Sequence, residues 1–121
     1  MSQAKLISII DDDDAIARAT GSLVRSLGFD ALTFTSAEDF LRSARREETV
    51  CIICDVQMPG MSGLDLFEEL EAQGSRVPVI FITAFAIDRV RQRAGEAACV
   101  LHKPFDAAQL VSCLDDAIPG S

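Results

Sequence analysis

Short apolar runs alternate with segments of helical periodicity along the whole chain. Each run is bounded by turn or charged residues, as expected of a strand, and most are followed by apolar side chains that recur every three or four positions, as expected of a helix. The runs are Leu6–Ile10, Asp30–Thr35, Val50–Cys54, Val77–Thr83 and Ala98–Leu101. Repeated strand–helix alternation predicts an α/β fold in which a parallel sheet has helices on both faces.

The second run differs from the others because its side chains alternate in polarity. Leu32 and Phe34 point one way, and Ala31, Thr33 and Thr35 point the other. A strand with one exposed face belongs at the edge of a sheet. Five strands with such a strand second along the chain fit the doubly wound, flavodoxin-like order 2-1-3-4-5, in which the winding reverses between the first and third strands.

Turn and capping residues delimit the predicted helices. Gly74 ends the third helix. Ser36 with Asp39 resembles a capping box at the start of the second helix, and Asp106 is a cap for the last one. Pro119–Gly120 is expected to stop that last helix. The segment before the fifth run has a weak apolar face, so the boundaries of its helix stay open.

Composition places the chain among globular proteins. Its 121 residues suffice for one core, which predicts a single domain over residues 1–121. No apolar run is long enough to cross a membrane, and charges at Lys5 and Asp11 interrupt any secretory signal, so a cytoplasmic location is expected. The net charge of −8 argues against direct nucleic-acid binding and suits a cation or a basic partner.

The four cysteines do not form a metal or redox motif in this pattern. Cys51 and Cys54 are spaced as in zinc and redox motifs, but they lie inside an apolar strand, where residues three apart face opposite ways. We therefore expect Cys51, Cys54, Cys99 and Cys113 all to be reduced and to act as small buried hydrophobic residues.

Chemistry-bearing side chains follow the predicted strands at their carboxyl ends, which a parallel sheet brings to one edge. They are Asp11, Asp12, Asp55, Thr83 and Lys103. Carboxylates crowded there repel one another by about 4 kcal/mol per pair at 4 Å and an effective dielectric of 20. A bridging hard cation relieves that repulsion, and oxygen ligands suit Mg²⁺. Helix capping is the alternative for the run Asp11–Asp14, but one or two aspartates would suffice for it.

Lys103 is one of only two lysines, against nine arginines. A compact ammonium serves as a point charge for a phosphoryl group or a carboxylate, whereas arginine presents a planar fork. A solvated loop lysine is the simpler alternative. Pro104 follows, and X–Pro bonds adopt the cis form where a tight turn is needed, so a cis Lys103–Pro104 bond that aims the ammonium at the carboxylates is a further expectation.

Taken together, these motifs resemble the receiver domain of bacterial two-component response regulators. They are Ile-Ile-Asp-Asp at the first strand end, Asp-x-x-Met-Pro-x-Met-x-Gly from Asp55, Thr83–Ala84, and Lys103–Pro104–Phe105. The chain is most similar to receivers that precede helix-turn-helix output domains in nitrogen-fixation and nodulation regulators. The resemblance runs from Leu6 to about Ile118.

The resemblance implies a role for each matching residue. Asp55 would accept a phosphoryl group from a histidine kinase, forming an acyl phosphate. Asp11, Asp12, Asp55 and the backbone carbonyl of Gln57 would hold Mg²⁺, with Asp11 acting through water. Lys103 and Thr83 would contact phosphoryl oxygens, and the small Ala84 would leave room for the donor. Such a domain is a switch that catalyses only its own phosphoryl transfer and dephosphorylation.

One departure from the family pattern concerns signal output. Val100 stands where the family has a switching aromatic residue, and Phe85 is a candidate substitute. Two alternatives to the switch stay open: a phosphatase with an aspartyl-phosphate intermediate, and a degenerate receiver that binds partners without phosphorylation. Gln57 argues against the phosphatase, which usually has a second acid at that position. Expected partners are a sensor histidine kinase, a C-terminal DNA-binding output domain or partner protein in transcription regulation, and a second copy of the chain.

Overall fold

A computed structural model describes residues 4–85, 87–96 and 98–118. One five-stranded sheet has the order β2-β1-β3-β4-β5, and every neighbouring pair is parallel. The strands are β1 (Leu6–Ile10), β2 (Asp30–Phe34), β3 (Thr49–Asp55), β4 (Val79–Thr83) and β5 (Cys99–His102). The predicted flavodoxin-like order is confirmed, and so is the edge position of β2, most of whose residues are only partly buried.

Five helices cover the two faces of this sheet. They are α1 (Asp14–Ser26), α2 (Ala37–Leu41), α3 (Gly63–Ala72), α4 (Ile87–Ala94) and α5 (Ala107–Ala117). One core lies under α1 and α5, where Val24 and Leu110 pack with Ile9 and Ile53 of the central strands. The opposite face holds a core under α2 and α3 and a smaller one under α3 and α4. Helices on both faces are therefore confirmed.

Capping side chains fix where the helices begin. Asp13 is the N-cap of α1 and accepts hydrogen bonds from two backbone N–H groups of the first turn. Ser36 accepts from the N–H of Asp39, but the Asp39 carboxylate pairs with Arg42, so only half of the predicted capping box forms. Asp106 caps α5 in a complete box with Gln109. Pro119–Gly120, the predicted stop, lies outside the described residues.

Strand register sets the positions of the polar residues that follow the strands. Ile10 of β1 is paired with Cys54 of β3, so the next residues, Asp11 and Asp55, lie abreast at the carboxyl edge. Thr83 of β4 is paired with His102 of β5, and the backbone N–H of Lys103 donates to the carbonyl of Thr83 at 2.8 Å. The fold therefore brings these residues to one edge of the sheet.

The cysteines divide into two pairs, only one of which was predicted correctly. Cys51 and Cys54 are free and buried in β3, and burial raises the pKa of both thiols, that of Cys51 to about 12. The expectation that Cys99 and Cys113 are reduced is wrong, because the two form a disulfide. The chain reverses between β5 and α5 and brings their Cα atoms to 6.0 Å, within the usual range for a disulfide.

Among the described residues, the structure contains no helix that is both long and apolar enough to span a lipid bilayer.

Candidate functional site

Asp11 is the most deeply buried acid at the carboxyl edge. One carboxylate oxygen accepts the backbone N–H of Asp13 at 2.9 Å, and the other lies 3.5 Å from Nζ of Lys103. Burial raises the pKa of Asp11, and the charge of nearby Asp55 raises it further, which outweighs the lowering by the Asp13 hydrogen bond and by Lys103. Ionised Asp11 is therefore held at a cost in free energy.

Lys103 is the cation shared by the two buried carboxylates. Its Nζ lies 3.1 Å from Oδ2 of Asp55 and 3.5 Å from Oδ2 of Asp11. The peptide bond between Lys103 and Pro104 is cis. Burial lowers the pKa of Lys103, but the hydrogen bond to Asp55 and the two negative charges outweigh burial, so the pKa is raised. The ammonium thus stays charged in the pocket.

Three carboxylates meet at this edge, and their arrangement fits a divalent cation. Asp11, Asp12 and Asp55 each offer one oxygen, and these oxygens lie within 4.8 Å of one another. Asp12 is exposed, whereas the other two are buried. One lysine does not balance three carboxylates, and an all-oxygen donor set is the kind that Mg²⁺ prefers. The donor set therefore fits Mg²⁺.

The loop after β3 folds back on Asp55. The N–H of Gln57 donates to Oδ1 of Asp55 at 3.3 Å. Helix α3 begins at Gly63, and its contact with the strand end leaves no room for a side chain: a Cβ there would lie 2.5 Å from the carbonyl oxygen of Asp55. The N–H of Gly63 donates to the carbonyl of Val56 at 2.9 Å. Local backbone contacts therefore fix the distance between α3 and the acid.

Glu38 of α2 contacts this loop, and the sequence did not predict that contact. Its Oε2 accepts the backbone N–H of Met61 at 3.3 Å and lies against Gly60, which has a positive φ of 76°. The second oxygen of Glu38 is buried and has no hydrogen-bond partner among the described residues. No signal in the sequence pointed to it, because a glutamate in a predicted helix has no distinctive spacing relative to a distant loop.

Thr83 and Ala84 lie at the end of β4, the strand next to β3, which ends at Asp55. Thr83 is buried, and its hydroxyl accepts the backbone N–H of Phe85 at 3.0 Å, whereas Ala84 is exposed. Phe85 is 60% exposed, which is unusual for so large an apolar side chain. Val100, at the expected position of the switching aromatic, is buried under α4 with Val90.

The chain belongs to the response regulator receiver domain family, whose model matches residues 7–115. It is 38% identical to the response regulator protein TodT of Pseudomonas putida over 118 residues, which make up 96% of this chain and 52% of TodT. It is 34% identical to the transcriptional regulatory protein FixJ of Azorhizobium caulinodans over 119 residues, 94% of this chain and 55% of FixJ. The chain thus spans about half the length of these relatives.

A solved receiver structure contains the cation that the acidic cluster fits. The receiver domain of sensor histidine kinase PA1611 from Pseudomonas aeruginosa matches with a TM-score of 0.82 at 29% identity, over 98% of this chain and 100% of that one. A magnesium ion is coordinated in its active-site cleft. The chain is therefore a receiver of two-component signalling, and its acidic pocket is typical of phosphorylation-activated switches.

Proposed function

We propose that Asp55 is the phosphoacceptor of this receiver and that a sensor histidine kinase is the donor. A carboxylate oxygen of Asp55 attacks the phosphorus of a phosphohistidine, the P–N bond breaks, and its electron pair leaves with the imidazole nitrogen. The observation that supports this most directly is the 3.1 Å contact between Asp55 and Lys103 inside a cluster of three carboxylates. Lys103 orients the nucleophile and can follow the negative charge to the new phosphoryl group.

Mg²⁺ is the cofactor we propose for this site. Its ligands would be Asp11, Asp12, Asp55 and the backbone carbonyl of Gln57, with Asp11 acting through a water molecule. When bound, such a cation neutralises charge on the transferring phosphoryl group and aligns the reactants. The raised pKa of Asp11 supports this assignment, because burial and repulsion from Asp55 leave its negative charge poorly compensated.

We assign Thr83 and Ala84 roles next to the phosphoryl group: Thr83 contacts it, and Ala84 leaves space for its donor. The hydroxyl oxygen of Thr83 accepts the N–H of Phe85, and its own O–H can at the same time donate to a phosphoryl oxygen. Ala84 adds only a methyl group at the exposed side of this edge, which leaves space for the donor. Movement of Thr83 would disturb the turn to Phe85, so a change at the acid reaches the surface next to α4.

The domain organisation of the whole protein and its cellular location are also proposals. We infer that residues 1–121 are one receiver domain of a cytoplasmic protein that regulates transcription through a DNA-binding output domain or a partner. The net charge of −8 favours the output domain, not the receiver, as the part that binds DNA. A second copy of the chain is a further partner on phosphorylation, and the domain acts on no other substrate.

The test is phosphorylation with Mg²⁺ and either acetyl phosphate or a phosphorylated histidine kinase, read by intact-mass spectrometry. We expect one acid-stable, base-labile phosphoryl group per chain, which is absent in Asp55→Asn. Modification of another residue, or none at all under conditions in which Mg²⁺ binds, would contradict the proposal. Rapid turnover of phosphate esters would instead support the phosphatase alternative.

A further inference from the structure

The disulfide between Cys99 and Cys113 joins the edge strand β5 to helix α5. The two cysteines are 14 positions apart, and the segment that they enclose contains Lys103 and the cis bond to Pro104. The cross-link therefore closes a covalent ring that includes this segment, and the Lys103 side chain of the segment contacts Asp55. Strand β5 has four residues and, within the described part of the chain, pairs only with β4, so this segment is attached to the sheet on one side.

This disulfide borders an open groove, and its Cys99 end is partly exposed although Cys113 is buried. Cys99 is partly exposed, and Cys99 and Cys113 both line an open groove of about 350 Å³. A groove of that volume accommodates a small organic ligand. Cys51 and Cys54 are fully buried in β3, and their raised pKa values keep them as thiols. Reactivity toward disulfides requires an accessible thiolate, which favours Cys99, the partly exposed member of the Cys99–Cys113 pair.

We propose that Cys99 and Cys113 form a reversible redox pair that exchanges with low-molecular-weight thiols of the glutathione type. In the oxidising direction, the thiolate of one cysteine attacks the small-molecule disulfide and releases one small thiol. The second cysteine then attacks the mixed disulfide and releases the other small thiol. The two cysteines lose two protons and two electrons in total, and the small disulfide takes up both.

Oxidation changes how freely the segment between the two cysteines can move. A covalent ring of this size removes chain entropy from the open states, in which β5 or α5 separates from the sheet. In the reduced protein, the segment that includes Lys103 is held by non-covalent contacts alone, among them the pairing with β4 and the ion pairs of Lys103 with Asp55 and Asp11. The redox state thereby sets the stability of this segment, whether or not Asp55 is phosphorylated.

The experiment equilibrates the purified chain in mixtures of reduced and oxidised glutathione and counts free thiols by alkylation under denaturing conditions. In oxidising mixtures we expect two free thiols, those of Cys51 and Cys54, and in reducing mixtures we expect four. Reduction should lower the thermal unfolding midpoint by on the order of 10 °C. Amide hydrogen exchange in residues 99–113 should become about tenfold faster or more.

Two controls make the result specific to this pair. In Cys99→Ser/Cys113→Ser, the unfolding midpoint and the exchange rates should not respond to glutathione. Helix α2 (Ala37–Leu41), far from the disulfide in sequence and packed on other strands, should show a smaller change in exchange rate than residues 99–113. Four free thiols in every mixture would overturn the proposal. So would a disulfide that forms without slowing exchange in residues 99–113.

Discussion

Two clusters in this domain have the same charges but different surroundings, and each consists of two carboxylates that share one cation. The site cluster is Asp11, Asp55 and Lys103; the surface cluster is Asp65, Glu68 and Arg93. The carboxylate side chains of the site cluster are 3% and 7% exposed, and those of the surface cluster are 50% and 49% exposed. The main difference between the clusters is therefore burial.

The pKa of an acid shifts in opposite directions in the two clusters, because the site cluster is buried and the surface cluster is not. The pKa of Asp11 is raised, first by burial and then by repulsion from Asp55. The pKa of Asp65 is lowered, first by the backbone N–H of Ser62 and then by Arg93. Water screens the charges of the surface cluster. The negative charge of the buried site cluster is poorly compensated, so the site cluster favours the binding of a further cation. A count of ion pairs would have ranked the two clusters as equal.

Removal of the shared cation should give the largest difference between the clusters. Lys103→Met leaves two buried carboxylates without their partner, and we expect it to destabilise the metal-free domain by about 2 kcal/mol, or about 8 °C in the unfolding midpoint. The matched change Arg93→Met should leave the midpoint nearly unchanged, because its partners stay hydrated. Thermal unfolding by circular dichroism measures both.

Mg²⁺ tests the same prediction from the other side. Because a bound cation replaces part of the lost charge, adding Mg²⁺ should recover part of the stability of Lys103→Met. Equal losses in the two variants, or a larger loss in Arg93→Met, would show that burial is not what distinguishes the clusters.

Binding of Mg²⁺ should give the second-largest difference between the two clusters. At free Mg²⁺ tenfold above the dissociation constant, the domain should be more stable by about 1.4 kcal/mol, close to 5 °C in the midpoint. Asp12→Asn should abolish most of this gain without a cost to the metal-free protein, because Asp12 is exposed. Asp65→Asn, the matched change in the surface cluster, should retain the full gain. A response to Mg²⁺ that depends on Asp65 would place the cation elsewhere.

Neutralising one acid in each cluster should have the smallest effect, with opposite signs. The folded state raises the pKa of Asp11, so ionised Asp11 opposes folding above that pKa, and the penalty disappears as the pH falls below the ordinary value of 3.8. Asp11→Asn should therefore stabilise the metal-free domain at pH 7, seen as a higher unfolding midpoint, and give no gain near pH 3.

Asp65→Asn should behave in the opposite way. The folded state lowers the pKa of Asp65, so its ionised form favours folding above the ordinary value, and that contribution is lost as the pH falls through the folded pKa. A small destabilisation at pH 7 that vanishes in acid is the expected result. Midpoints measured from pH 3 to 7 decide both cases, and a loss of stability in Asp11→Asn at pH 7 would contradict the comparison.

The fold was predictable because its signals are local and repeated. Each strand is a short apolar run, and the alternating polarity of β2 was enough to place it at the edge. The bounds of α4 could not be predicted, because only Val90 of that helix is buried and so its apolar periodicity is weak. Only the Ser36 half of the predicted capping box forms, and the Asp39 carboxylate pairs with Arg42.

The site was predictable in its composition but not in its supporting contacts. Strand ends indicated which residues meet, since a parallel sheet collects them at one edge. The contact of Glu38 with the loop after β3 depends on how α2 packs, which no spacing in the sequence encodes. The pairing of Cys99 with Cys113 depends in the same way on the angle at which the chain turns between β5 and α5.

The close approach at Gly63 has a consequence for how this domain tolerates mutation. Gly74, at the end of α3, needs only its left-handed backbone and has open space around it, so asparagine is an acceptable replacement there. Even alanine at position 63 would push the whole helix outward from the end of β3. A saturation library should therefore find position 63 among the least permissive of the chain, although its residue has no side chain and takes no part in any reaction.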